Sequence, residues 1–334
     1  MQKKNLISCI VLKEVSKMGK VAFVFPGQGA QFVGMGKDFY DNFSVSREVF
    51  EAANESLGTD IKSICFEGTE EELVKTENTQ PAILTTSVAI LKALEERGIN
   101  CDYTAGLSLG EYTALVEANA LDFNETVNLV KNRGKYMQEA VPEGKGGMAA
   151  ILGLEKSKIL EAIKEARNYG VVDIANYNSP EQIVISGEVT PLKVAVSQSK
   201  ELGAKKAVHL PVSAPFHSSL LEPAGEKLKK DLENVKVNDL EKIVITNVDA
   251  KPLRDKEEVK SSLVRQVSNS VLWCDSIIYM LDNGVDTFVE IGPGKSLKGF
   301  IKRIAKPLNK EVNVFSVSNL SGFEKVCDFF GKEV

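Results

Sequence analysis

Ser108 stands between two glycines in Gly106-Leu107-Ser108-Leu109-Gly110, directly after an apolar run and before a helical pattern, in a chain with only two histidines. Small residues around a serine let the backbone make a cramped strand-to-helix turn that pushes the hydroxyl out of a sheet and toward a base. A serine hydroxyl is a poor nucleophile until a base takes its proton, and imidazole has the pKa best suited to that task near neutrality. His209 lies in an alternating stretch, 207–210, that reads as a strand, so it is expected to be a structural or surface residue. His217 follows the turn Pro211-Val212-Ser213-Ala214-Pro215-Phe216 and can lie at a seam between domains. The order serine before histidine is that of elbow enzymes, so the pair proposes covalent acyl chemistry on Ser108 with His217 as base. Asp122 and Asp173 fall between the two, but nothing around either marks it as the acid of a triad.

These residues need a scaffold. Residues 21–25 read as a buried strand ended by Pro26-Gly27-Gln28-Gly29, a loop able to expose backbone N–H groups. Helical patterns follow over 37–57 and 81–97, the second with Ile83, Leu84, Val88, Leu91 and Leu94 on one face and Gly98 as its stop. A strand over 103–107 leads into the elbow and a helix opened by Ser108. Between 141 and 212 the texture changes to strand 148–154, helix 156–168, strands 171–177 and 182–187, helix 191–202 and strand 205–210. That βαββαβ order is the ferredoxin-like signature, sized for a subdomain inserted in a larger one. The α/β pattern then resumes with strand 243–248, helices near 257–267 and 276–282, strand 287–291, a helix from Ser296 and strand 312–317. The expected fold is therefore α/β, with a discontinuous parallel-sheet domain (18–141 and 213–334) interrupted by a ferredoxin-like subdomain (142–212).

With 334 residues, 43% hydrophobic and 26% charged, the chain can bury a sizeable core. A net charge of -5 argues against a nucleic-acid surface, so an acidic partner would need a local basic patch. Lys298, Lys302 and Lys306 recur every four residues on one helical face, and Arg303 adjoins them. The five cysteines, Cys9, Cys65, Cys101, Cys274 and Cys327, lack metal-type spacing and read as free thiols of a reducing cytoplasm. No apolar run approaches a membrane span, and no metal cluster, dinucleotide loop or phosphate loop is evident, so neither metal nor redox cofactor is expected. Residues 1–17 read as an extension of uncertain status, with Met18 as the functional beginning.

Five blocks together resemble one family. Phe25-Pro26-Gly27-Gln28-Gly29-Ala30-Gln31, Gly106 to Tyr112 around the elbow, Arg133-Gly134-Lys135-Tyr136-Met137-Gln138, Ala214-Pro215-Phe216-His217 and Glu290-Ile291-Gly292-Pro293-Gly294 occur in the order seen in malonyl-CoA:acyl carrier protein transacylases. The resemblance covers essentially everything after Met18 and implies an α/β-hydrolase-like large domain with the inserted subdomain. It further implies ping-pong malonyl transfer from malonyl-CoA to the phosphopantetheine thiol of acyl carrier protein, serving fatty acid elongation, with CoA as product. Ser108 would carry the malonyl group and His217 would act as base, while Leu109 and Gln28 would form the oxyanion hole. Arg133 would grip the malonyl carboxylate, which a guanidinium can do through two parallel hydrogen bonds. Met137 belongs to the same block. Gln266 is expected near the site as a substrate-binding residue, where backbone carbonyls rather than an acid would orient the histidine. Asn178, in the Asn178–Gln182 turn, would hold the CoA or pantetheine chain, and Phe216 would obstruct an α-methyl branch. The basic face at 298–306 would dock the acidic carrier, and the enzyme is expected to act as a cytoplasmic monomer.

One departure is Leu107, where the family commonly has histidine, so any polar role there is absent or supplied elsewhere. Three readings compete at this stage: a thioesterase or carboxylesterase passing the acyl group to water, a non-catalytic CoA- or carrier-binding module, and a transferase selective for methylmalonyl or longer chains.

Overall fold

The computed structural model describes residues 19–212 and 214–333. The expectation for residues 1–17, and Cys9 with it, lies outside them. Among the described residues the strands are β1 (Lys20–Phe25), β2 (Tyr103–Gly106), β3 (Gly146–Leu152), β4 (Val172–Ser179), β5 (Gln182–Glu188), β6 (Lys206–His209), β7 (Ile243–Ile245), β8 (Val285–Ile291) and β9 (Asn313–Val317). They form a parallel sheet in the order β7-β2-β1-β8-β9 and a separate antiparallel sheet in the order β4-β5-β3-β6.

Central β1 is buried on both faces, which is why Val21 to Phe25 is an unbroken apolar run rather than an alternating one. Phe23 and Phe25 pack into a core with Leu84, Val88 and Leu91 of the helix Thr76–Glu96. Ala22 and Val24 point oppositely, toward Trp273, Ile277 and Ile301. The antiparallel sheet has its own apolar cluster, where Ile151 and Ile185 meet Ile159 and Ile163 of the helix Lys156–Ala166 and Leu192 and Ala195 of the helix Val189–Glu201. The register shifts along β4 near Ile174/Asn176 and Tyr177/Ser179, and Asn176 makes a parallel bridge to Val271. Such irregularities re-aim side chains, and here they turn Asn176 and Asn178 toward the larger lobe.

Several boundaries differ from expectation for local reasons. The long helix begins at Thr76, with Pro81 inside it. The lost hydrogen bond falls on the carbonyl of exposed Glu77, where solvent can take it. The 37–57 segment breaks into Lys37–Asn42 and Ser44–Leu57 because Phe43 is extended, stacking on Phe39 and tilting against Phe323. Strand β7 stops at Ile245, since Thr246 turns back to bond Lys251 and the Asn247 side chain leaves the ladder for the elbow. Helices Glu222–Glu233 and Leu320–Phe330 were not anticipated. Cys65, Cys101, Cys274 and Cys327 are buried free thiols, and no described helix is long and apolar enough to cross a membrane.

Candidate active site

The loops that leave the carboxyl ends of β1 and β2 build the site. Ser108 follows β2 with φ 54°, a left-handed conformation that turns its side chain out of the strand direction, and the helix proper begins at Gly110. Both elbow glycines are required by contact rather than by φ. A Cβ on Gly106 would overlap the main chain of Gly110, and one on Gly110 would overlap the Phe25 carbonyl.

Ser108 Oγ lies 2.7 Å from His217 Nε2, and His217 Nδ1 lies 3.0 Å from the main-chain oxygen of Gln266. A carbonyl can only accept, so Nδ1 carries the proton and Nε2 is free to accept the serine hydroxyl proton. Among the described residues no carboxylate reaches the imidazole: Asp122 caps the helix Phe123–Glu139, and Asp173 bonds Arg167 and Ser219. His209 sits exposed on β6, as its alternating surroundings suggested.

Arg133 is only 1% exposed. Its guanidinium donates to Ser108 Oγ (3.1 Å), to Gln266 Oε1 (3.0 Å) and to Gln80 Oε1 (2.8 Å), and its Nε is buried without a partner. The Tyr112 ring lies under it at 5.3 Å, a further cation-binding face. The serine oxygen thus touches both a neutral base and a fixed cation.

A cavity of about 230 Å³ opens over this cluster. Gln28 and Leu109 line it, and among the described residues neither backbone N–H has an internal partner, whereas those of Gly110, Glu111 and Tyr112 bond carbonyls of the turn. The Gln28 side chain reaches Thr76 instead, pinning its loop. Met137 and Phe216 contribute apolar wall. Asn178 Nδ2 donates to Gln182 at 3.2 Å, while its Oδ1 is buried and unpartnered at the cavity wall.

Gln266 differs from its expected role as a substrate contact. It is fully buried and does not line the cavity. Its main chain holds His217, and its side chain bonds Arg133, the Ser108 carbonyl and Glu111, which makes it a support behind the site. Gln80, Glu111 and Asn247 complete that support and were missed as functional residues, because nothing in their local sequence distinguishes a buried polar anchor from a surface one.

At the opposite rim, Ser296, Leu297 and Phe300 of the helix Ser296–Ala305 line the cavity. Glu290 caps this helix, accepting from the backbone N–H groups of Leu297 and Lys298. Lys302 and Arg303 are exposed on it and Lys298 is half-buried, while Lys306 already belongs to the turn Lys306–Leu308 that follows. Arg303 pairs loosely with Glu181 at 3.8 Å.

Burial first, and the Arg133 charge second, push the His217 imidazole down from its usual 6.5 to about 4, with the Gln266 carbonyl acting in the other direction. A group whose folded pKa is depressed stays neutral until pH falls through that lower value, so the base is ready throughout the neutral range. The acid limb of kcat/KM, which reports the free enzyme, is expected near pH 4. A limb at the ordinary histidine value in a pH–rate profile would contradict a buried base.

A hydroxyl held by a neutral imidazole and a buried guanidinium, beneath free backbone donors, is equipped to pass an acyl group through a serine ester; the class is that of serine acyltransferases. Residues 22–317 match the acyl transferase domain family. A malonyl CoA-acyl carrier protein transacylase of Bacillus subtilis is 46% identical over 303 residues, covering 90% of this chain and 94% of its own. The crystal structure of the Clostridium perfringens protein of that name, 49% identical, superposes with a TM-score of 0.89 over 93% of this chain and 97% of that one. A malonyl-transacylase solved in complex with its type II polyketide acyl-carrier protein is 40% identical, with a TM-score of 0.89 over 93% and 99% of the two chains. The chain belongs to the malonyl CoA-acyl carrier protein transacylases.

Proposed function

We propose that the protein transfers the malonyl group of malonyl-CoA to the phosphopantetheine thiol of acyl carrier protein, through a malonyl ester on Ser108. The observation that carries this reading is the buried Arg133, whose guanidinium donates to the hydroxyl that becomes acylated. An acyl group with a carboxylate at its far end finds there a cation that it can grip with two parallel hydrogen bonds. In the first half-reaction Ser108 Oγ attacks the thioester carbonyl and its proton passes to His217 Nε2. The oxyanion is received by the backbone N–H groups of Leu109 and Gln28. The C–S bond breaks, and His217 returns the proton to the CoA thiolate. In the second, the carrier's thiol gives its proton to His217, its sulfur attacks the ester carbonyl, and the serine oxygen leaves with that proton. The reaction supplies malonyl carrier for fatty acid chain elongation.

The imidazolium that forms on His217 faces a carbonyl instead of a carboxylate, and Arg133 disfavours it. A malonyl carboxylate paired with Arg133 relieves that repulsion as the reaction proceeds, so the correct substrate also improves the base. Met137 helps to wall the acyl pocket, the unpartnered Asn178 Oδ1 suits an amide N–H of the pantetheine chain, and Phe216 restricts room for an α-branch. No step requires a resident metal or redox group. The antiparallel strand order supports reading 142–212 as a ferredoxin-like insert in an α/β-hydrolase-like domain formed by 18–141 and 213–334. The enzyme works as a monomer on this reading, since Ser108, His217 and Arg133 meet without a second chain, and the buried free thiols suit the cytoplasm.

The carrier docks on Lys298, Lys302, Arg303 and Lys306, a basic stripe on and just after the helix whose Ser296, Leu297 and Phe300 line the cavity, which suits an acidic partner. Lys302→Glu is expected to raise the KM for the carrier roughly 5-fold or more while leaving the KM for malonyl-CoA unchanged, as a charge reversal at a docking rim does. Steady-state titration of each substrate separates the two, and equal constants in variant and native enzyme would remove the dock.

Intact-protein mass spectrometry after brief mixing with malonyl-CoA, followed by phosphopantetheinylated carrier, tests the whole reading. A malonyl adduct that forms and then moves to the carrier is the expected result. Free malonate accumulating without carrier would make the enzyme a hydrolase.

A further inference from the structure

Ser108 and His217 both hold left-handed backbone, with φ 54° and 57°, which a non-glycine residue keeps only where its surroundings over-determine it. For the serine those surroundings are a buried polar network. Asn247, two residues beyond the end of β7, is 1% exposed; its Oδ1 accepts from the Ser108 N–H at 2.6 Å and its Nδ2 donates to the Gly106 carbonyl at 2.7 Å. One amide therefore grips the elbow on both sides of its bend and satisfies two main-chain groups that the β2 ladder has released. The Asn247 N–H in turn donates to Glu111 Oε2 at 2.9 Å.

Glu111, in the first turn of the helix Gly110–Glu117, also takes Gln266 Nε2 at 2.8 Å. That nitrogen shares its second proton with the Ser108 carbonyl at 3.0 Å, leaving Gln266 Oε1 to accept from Arg133. Reversed, the Gln266 amide would set NH2 against guanidinium and oxygen against both the Glu111 carboxylate and the Ser108 carbonyl. The carboxylate thus decides which way the amide faces.

Building on the acyl-transfer reading above, we propose that Asn247 and Glu111 are positioning residues of the reaction: Asn247 clamps the elbow that presents Ser108, and Glu111 orients the Gln266 amide that ties Ser108 to Arg133. Neither touches substrate; both act through the residues that do.

The test is the rate at which a fluorophosphonate phosphonylates Ser108, with loss of fluoride, measured beside malonyl transfer in the same variants. Asn247→Ala and Glu111→Ala are expected to slow labelling and kcat, each on the order of 100-fold, as sub-ångström misplacement of reacting groups does. KM should stay within a few-fold. Glu111→Gln, whose amide oxygen can accept both hydrogen bonds and whose NH2 falls where Oε1 has no partner, should restore most of the loss seen with alanine. Asn247→Asp keeps the acceptor for Ser108 but sets an oxygen against the Gly106 carbonyl, and should also be slow. It decides the matter if either alanine variant melts near room temperature. Native labelling rates in Asn247→Asp, or equal slowing in Glu111→Gln and Glu111→Ala, would overturn the proposal. The probe contains neither malonyl nor CoA. Failure of malonyl transfer with this ordering of labelling rates intact would therefore count against the substrate reading alone, and flat labelling with normal transfer against the positioning roles alone.

Discussion

Ser108→Ala abolishes the malonyl adduct, and carrier malonylation falls to background, a loss on the order of 10⁶-fold as expected when a nucleophile is removed from a unit that works together. The variant keeps the cavity, the Arg133 clamp and the backbone donors of Leu109 and Gln28, so it still binds malonyl-CoA. The oxygen it lacks is the one atom that meets both His217 Nε2 and the Arg133 guanidinium. Deleting it leaves these two groups facing a small void that a water molecule can fill, so the fold survives and only the covalent step is lost. Equilibrium binding of malonyl-CoA together with intact-mass detection separates these outcomes. An adduct that persists in the alanine variant would move the acylated residue elsewhere.

Arg133→Ala lowers malonyl transfer by roughly 10²- to 10³-fold, the kinetic equivalent of removing one partner of a buried charge pair. Transfer of an uncharged acyl group such as acetyl falls less, only by what the guanidinium's hydrogen bonds to Ser108 and Gln266 contribute to aiming the serine. The separation follows from the proposed acyl transfer, in which the guanidinium addresses the far end of the acyl chain while the thioester carbonyl meets the Leu109 and Gln28 donors. Removing a buried cation often strands a buried anion, here Glu111. Burial already lifts that carboxyl to about 7, with Gln266, the Asn247 N–H and Arg133 opposing the rise. Without Arg133 it can take up a proton and remain buried as a neutral acid, still joined to Gln266. The protein should therefore stay folded at and below neutral pH. Competition between malonyl-CoA and acetyl-CoA in the variant measures the effect. An equal loss for both acyl groups would show that Arg133 serves the serine and not the carboxylate.

What could be read from the chain alone was whatever depends on short spacing. The glycines at 106 and 110 announce an elbow because the requirement for absent side chains is local, although the atoms that forbid a Cβ at Gly110 include the Phe25 carbonyl, far away in sequence. Two histidines left little choice of base, and the alternation around His209 set it apart from His217. The βαββαβ order was legible for the same reason: each element announces its period over a handful of residues, and the antiparallel sheet at 146–209 follows that order.

Tertiary structure alone decided which carbonyl holds the histidine and what stands behind the serine. The partner of His217 Nδ1 is a main-chain oxygen, and every residue has one, so no side-chain pattern can signal it. Gln266 moved from substrate contact to buried support because its environment is made by residues 108, 111, 133 and 247, brought together from three separate segments. Asn247 is an ordinary polar residue after a short strand until the end of β7 is laid beside the end of β2, where its amide meets the elbow. A hydrogen bond spanning more than a hundred residues leaves no local periodicity, and burial of a polar side chain is a property of the packed fold. Ser108, His217 and Arg133 were named by the chain, while packing determined the tautomer of the imidazole, the aim of all three side chains and the buried amides and carboxyl that stand behind them.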